Sequence, residues 1–166
     1  RRLTIIMKKI TKTNAMRLLD TKKLDYQVHT YEHNGNEAVD GVHVAEILGQ
    51  DENCVFKTLV TQANTKEYIV FMLPVAKELD LKKCAKAAGV KSVDMIHVKD
   101  LLSITGYIRG GCSPLGMKKT YRTFIDESCL QQEHIFFSGG KIGLQIEMKT
   151  NDFLNHYPVN HAELTK

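Results

Sequence analysis

Seven of the eleven glycines of this chain fall between Gly106 and Gly143. They concentrate in two segments, Arg109-Gly-Gly-Cys-Ser-Pro-Leu-Gly and Ser138-Gly-Gly-Lys-Ile-Gly. A residue without Cβ adopts positive φ easily and lets backbone N–H groups approach a ligand closely. Either segment alone reads as an ordinary turn. Together they predict one pocket with a main-chain wall, and Arg109, Lys118, Lys119, Arg122 and Lys141 nearby suit it to an anion. A nucleotide-phosphate loop does not fit. Gly111 and Gly116 have the required spacing, but Met117 stands where the lysine should follow and Pro114 interrupts the segment.

The other unusual residue is Lys57, inside Cys54-Val-Phe-Lys-Thr-Leu-Val. Period-2 alternation puts it on one face with Val55 and Leu59, and both faces of that strand are mainly apolar. A desolvated ammonium is costly unless paired and loses basicity; a lysine reaching to solvent from an edge strand is the alternative, and the residues alone leave both open. The histidines form no obvious catalytic cluster. His29 and His33 are four apart on an expected strand and so on one face, but no third ligand is near in sequence. Ser113 and Ser138 could be nucleophiles, yet neither sits in a G-x-S-x-G elbow. The four cysteines, at 54, 84, 112 and 129, contain no C-x-x-C pair and read as small buried thiols.

The elements that must position these residues are short and mixed. Thr13 or Asn14 caps a first helix carrying Ala15, Leu18 and Leu19 on one face. Tyr26–Tyr31 alternates as a strand, and Val42–Leu48 forms a helix stopped by Gly49. Val55–Thr61 and Tyr68–Leu73 read as an antiparallel pair. A helix follows from Asp80 to Gly89, then a short one over Val98–Ile104. Thr120–Ile125, His134–Phe137 and Gly143–Met148 are expected strands, and Asn151–His156 a last helix. No regular β-α-β rhythm exists, so the pattern predicts a single α+β domain around a mixed sheet, curled towards a barrel.

A length of 166 residues fits one domain, whose folding buries roughly 70% of the extended-chain surface. No apolar run approaches the roughly 20 residues of a membrane helix. Arg1–Ile6 reads as a leader or remnant ahead of Met7, with the domain over 7–166. The net charge of +4 falls to +2 without Arg1 and Arg2, well short of the basic excess of a duplex-DNA binder. With no secretory signal and scattered cysteines, a cytoplasmic protein is expected.

Val55-Phe-Lys-Thr-Leu-Val, Leu73-Pro-Val-Ala, Gly106-Tyr-Ile-Arg-Gly-Gly-Cys-Ser-Pro-Leu-Gly and Phe137-Ser-Gly-Gly-Lys-Ile-Gly, in this order, resemble the YbaK/EbsC family. Its members are bacterial Cys-tRNA(Pro) deacylases, related to the editing domain inserted in bacterial prolyl-tRNA synthetase. The resemblance spans about Asn14 to Asn155. It implies an α+β fold around a curved mixed sheet, an ester substrate at the 3′ end of tRNA, prolyl-tRNA synthetase as partner, and no metal or cofactor. Carried over by motif, Lys57, Gly110 and Ser138 are the expected catalytic residues. Tyr31, Thr58, Gly111, Cys112, Ser113, Pro114, Gly139 and Gly140 are expected to bind substrate. Relatives often carry Asp where this chain has Gln145, which puts any acidic role there in doubt. Three alternatives remain: a related deacylase clearing alanyl esters with an activated water, a non-catalytic tRNA-binding module, and a metal hydrolase built on His29 and His33.

Overall fold

In the computed structural model, which describes residues 10–166, the first helix is α1 (Asn14–Thr21). The expected leader, Arg1–Ile6, lies outside the described residues. Thr13 caps α1 by accepting a hydrogen bond from the Met16 N–H and donates its own hydroxyl to the Gly139 carbonyl at 2.6 Å. Strand β1 (Gln27–Thr30), helix α2 (Gly41–Leu48) and strands β2 (Phe56–Ala63) and β3 (Tyr68–Pro74) follow. Helix α3 (Leu81–Ala88) starts on Asp80, whose carboxylate accepts from the N–H groups of Lys82 and Lys83, and ends at Gly89. Then come β4 (Val93–Met95), a 3-10 turn, α4 (Leu101–Thr105), β5 (Arg122–Asp126), a second 3-10 turn capped by Asp126, β6 (His134–Ser138), β7 (Leu144–Lys149), α5 (Thr150–His156) and β8 (Val159–Ala162).

The strands form two sheets, β1-β7-β6 and β4-β2-β3-β5-β8. The first is antiparallel; in the second, β5 runs parallel to both β3 and β8, so the expected mixed sheet is present. One parallel bridge, Val55 to Phe136, joins the sheets. From that seam they curl around an apolar interior formed by Phe56, Met72, Ile125, Phe137 and Ile146, closed by Met16 and Leu19 of α1 and Phe153 of α5. A second cluster lies on the other face of the large sheet, where Leu59, Phe71 and Leu73 meet Cys84 and Ala85 of α3. A third, small one packs Ala45 of α2 on Val55 and Val75, over the seam.

Two strands, β4 and β8, were not legible in the sequence. Each is short and flanks the sheet, and Asp94, Asn160 and His161 interrupt any apolar signal. Pro158 precedes β8, a residue tolerated at the start of a strand on a sheet edge. The expectation that His29 and His33 share a strand face fails, because β1 ends at Thr30 and His33 instead binds the Gly35 carbonyl.

Candidate active site

A cavity of about 750 Å³ opens at the seam between the sheets. This volume lies within the roughly 300–1,000 Å³ of small-molecule sites. Strand β2 supplies Lys57 and Thr58 to its wall. Pleat alternation, fixed by Phe56 inside and Leu59 on the α3 side, sends Thr58 to the curled interior and Lys57 to the opposite face. On the small sheet, Phe137 and Ile146 point inward, so Ser138 and Gln145, paired in register, share the α2 face with Lys57. Sequence positions 57, 138 and 145 thus meet on one continuous surface under α2.

Lys57 has no ion pair within 4 Å among the described residues. Burial pushes its pKa below the ordinary lysine value, with Asp40 and Glu78 pulling partly back. Asp40 stands at the start of α2, its side chain accepts no capping hydrogen bond, and it lines the cavity. An ammonium half out of water and without a contact partner is poised for a charge brought by a ligand.

The first glycine loop closes the cavity from above. Gly110 has φ +85°, and a Cβ there would stand 2.8 Å from the Ala38 Cβ. Only glycine gives that conformation and that approach. At Gly111 a Cβ would meet the Ile142 N at 3.0 Å, so the two glycine loops pack main chain against main chain. Tyr107 braces the loop by donating its hydroxyl to the Leu115 carbonyl at 2.6 Å. The Gly111 N–H donates to the Ile108 carbonyl. The N–H groups of Gly110 and Cys112 have no acceptor among the described residues, and both residues line the cavity.

Of the expected site residues, Tyr31, Lys57, Thr58, Gly110, Cys112 and Ser138 line this one cavity. Gly111, Ser113, Gly139 and Gly140 do not line it. Ser113 is fully buried, its hydroxyl accepting from the Leu115 N–H, and Gly140 donates its N–H to the Ser138 hydroxyl. Pro114 lines a different cavity, of about 550 Å³, with Lys119. The expected cluster of five cations also disperses. Only Arg109 reaches the first cavity, while Arg122 is held by Glu67 and the Ala88 carbonyl.

Two features of the site gave no readable sequence signal. Asp40 lies in an unremarkable turn, and Gln50 follows a helix-ending glycine. Gln50 and the buried Gln145 form a reciprocal amide pair, with N–H···O distances of 2.7 and 2.9 Å, at the base of the cavity. Gln145, flagged as a departure from the usual Asp, is therefore a neutral group held by a second neutral group.

The four thiols are free and unsuited to attack. Burial raises Cys112 and Cys84 to about 12 and Cys129 to about 11, and raises Cys54 as well. No histidine is among the lining residues, so Ser138 has no imidazole base there. His29 and His134 instead share the Glu147 carboxylate outside the cavity. Among the described residues, no three His, Cys, Asp or Glu side chains are arranged to hold a metal ion, and no helix is long and apolar enough to cross a membrane.

Fold and site define a class: a curled α+β domain whose cavity is walled by glycine main chain and faced by one unpaired ammonium. The chain belongs to the Aminoacyl-tRNA editing domain family, whose profile matches residues 36–155. It is 44% identical over 154 residues, 93% of either chain, to the Enterococcus faecalis protein named "Putative Cys-tRNA(Pro)/Cys-tRNA(Cys) deacylase EbsC". Among solved structures it resembles hypothetical protein APE2540, with TM-score 0.84 at 18% identity over 93% of this chain and 100% of that one. It also resembles "a putative trans-editing enzyme for prolyl tRNA synthetase", with TM-score 0.80 at 19% identity over 95% and 99%. The two structural likenesses speak for the fold.

Proposed function

We propose that this protein hydrolyses cysteine esters on the 3′ end of proline tRNA, with the substrate's own thiol as nucleophile. The observation that carries the reading is the convergence of Lys57, the Gly110–Cys112 main chain and Ser138 on one cavity that holds no activated nucleophile of its own. A cysteinyl ester brings one. Its sulfur attacks its own carbonyl carbon, a C–S bond forms, the ester C–O bond breaks, and the thiol proton ends on the ribose oxygen. Water then opens the small cyclic thioester to free cysteine.

The protein's task is orientation and charge. Holding sulfur and carbonyl in attack geometry removes much of the entropic barrier. The N–H groups of Gly110 and Cys112 are the donors open to the carbonyl oxygen as it becomes negative. The Lys57 ammonium favours the substrate thiolate or holds the phosphate next to the terminal ribose. Ser138 and Tyr31 border the aminoacyl end. Prolyl-tRNA synthetase would supply the selection of proline tRNA, since the small net charge gives little grip on a whole RNA.

Deacylation of cysteinyl, seryl, alanyl and prolyl esters of proline tRNA tests this. One heteroatom in an apolar pocket separates substrates only about 10–200-fold by binding. The thiol mechanism predicts a larger gap between cysteine and serine, and equal rates on the two would remove it.

A further inference from the structure

Strand β2 is left half-paired at the cavity. Along one edge it hydrogen-bonds β3 from Phe56 to Gln62. Along the other, β6 lies close but bridges it only at Val55–Phe136, where the Phe136 N–H donates to the Cys54 carbonyl at 2.9 Å. Strand β4 takes over only at Thr61, next to a 3.3 Å bond from the Ile96 N–H to the Val60 carbonyl. Backbone groups of alternate residues point to the same edge. Cys54 and Val60 both use this one, so the N–H and C=O of Thr58 and the N–H of Val60 project from it as well. No ladder partner meets Thr58 there, and Ile96 accepts nothing from Val60. The Thr58 hydroxyl oxygen is also buried without a partner.

Buried polar groups are normally satisfied, so a gap of this kind at a cavity marks where a ligand's polar edge fits. Beside it lies an apolar shelf: Met95 and Val98, 47% and 59% exposed, with Ile96 and Leu101. The gap thus offers an acceptor, the Thr58 carbonyl, directly beside a donor, the Val60 N–H, along a flat hydrophobic surface. Adenine presents the complement on its Watson–Crick edge, an amino donor beside a ring-nitrogen acceptor, and cytosine presents the same order. Hypoxanthine, guanine and uracil present it reversed, and meet this edge only one position back, on the Thr58 N–H and carbonyl, away from the apolar shelf that flanks Val60. Proteins read unstacked RNA bases in this way, by one flat contact and the base's own hydrogen-bonding edge.

We propose that the unpaired edge of β2 at Thr58–Val60 reads the terminal nucleobase of the RNA, accepting an adenine and rejecting a base with the reversed pattern. This inference rests on reading the cavity as the site of an aminoacylated RNA end. It assigns the base to main chain, while Lys57 and the glycine loops serve the ester.

The test is a 15N NMR titration of the full chain with adenosine, cytidine and inosine 5′-monophosphates. Adenosine monophosphate should shift the Thr58 and Val60 amide resonances and bind about tenfold or more tightly than inosine monophosphate, the discrimination of a good two-bond base contact. Cytidine monophosphate should shift the same two amides. Equal affinity for the adenosine and inosine forms, no detectable adenosine binding, or shifts confined to the second cavity would overturn the proposal. Replacing the Leu59–Val60 amide by an ester removes one N–H and keeps every side chain. It should bring adenosine affinity down to that of inosine in a chain that still folds, the weaker Leu59 carbonyl in the β3 ladder lowering the melting temperature somewhat, and retained affinity would overturn the assignment of Val60. Failure of cysteinyl-tRNA hydrolysis with the adenosine preference intact would sink the proposed reaction and leave the base reader standing.

Discussion

Replacing Lys57 by methionine should cut activity sharply and make the protein more stable. The structure gives the reason for both. Lys57 lies on an apolar face beside Val55, Leu59 and Leu73, with no ion pair within 4 Å among the described residues. Methionine preserves a long flexible stem there without a charge to desolvate. A single stabilising replacement commonly adds about 0.5–2 kcal/mol, or roughly 1–8 °C in melting temperature for a chain of this size. The gain must depend on pH. Burial lowers the lysine pKa in the folded state, so the folded chain binds fewer protons than the unfolded one across the interval up to 10.5, the ordinary lysine value. Wild-type stability therefore rises with pH in that interval. The Lys57→Met advantage is full at neutral pH and vanishes above about 10.5. Thermal unfolding of both proteins at neutral pH and near pH 11 measures it, and deacylation of cysteinyl tRNA should fall about 10²–10³-fold, the usual effect of losing one charge stabiliser. A lower melting temperature for the variant at neutral pH would mean that Asp40 and Glu78 hold Lys57 as a structural ion pair, and retained activity would end its functional assignment.

Gly110→Ala combines a positive φ with a 2.8 Å approach to Ala38 and should cost about 2–4 kcal/mol by thermal or urea unfolding. Gly49→Ala, equally left-handed but with nothing within 4 Å, should cost only about 1 kcal/mol, and similar losses at both sites would refute the close-packing argument. Gln50→Leu strands the buried Gln145 amide and should destabilise by about 2–3 kcal/mol; the Gln50→Leu/Gln145→Leu pair should lose less than the sum of its single changes, as a double-mutant cycle will show. Cys112→Ala should keep most of the deacylase activity, and the Cys112 thiol, raised to about 12, should resist alkylation at neutral pH. Loss of turnover with an intact fold would make that thiol part of the chemistry.

Local chemistry explains which elements were legible. Thr13 and Asp80 satisfy backbone N–H groups within three residues of themselves, and Gly49, Gly89 and Gly106 end helices through their own conformation. Such signals are complete within a few residues of sequence. Strands β4 and β8 carry none, because what stabilises them is a neighbour already in place. The cation cluster around the glycine loops misled for a related reason. Adjacency in sequence says nothing about the ion pair that carries Arg122 away to Glu67.

The amino-acid order by itself determined the mixed α+β character, the apolar strand carrying Lys57 and the two glycine loops, since alternation and the absence of Cβ are properties of the residues. Tertiary structure alone decided that positions 57, 110 and 138 face one cavity, that Pro114 and Gly140 do not, and that Gln50 holds Gln145. It also decided that β2 would be left unpaired at Thr58. Those outcomes depend on where two sheets meet and separate, and that is set by the packing of Phe56, Met72, Phe137 and Ile146 against one another across ninety residues of chain.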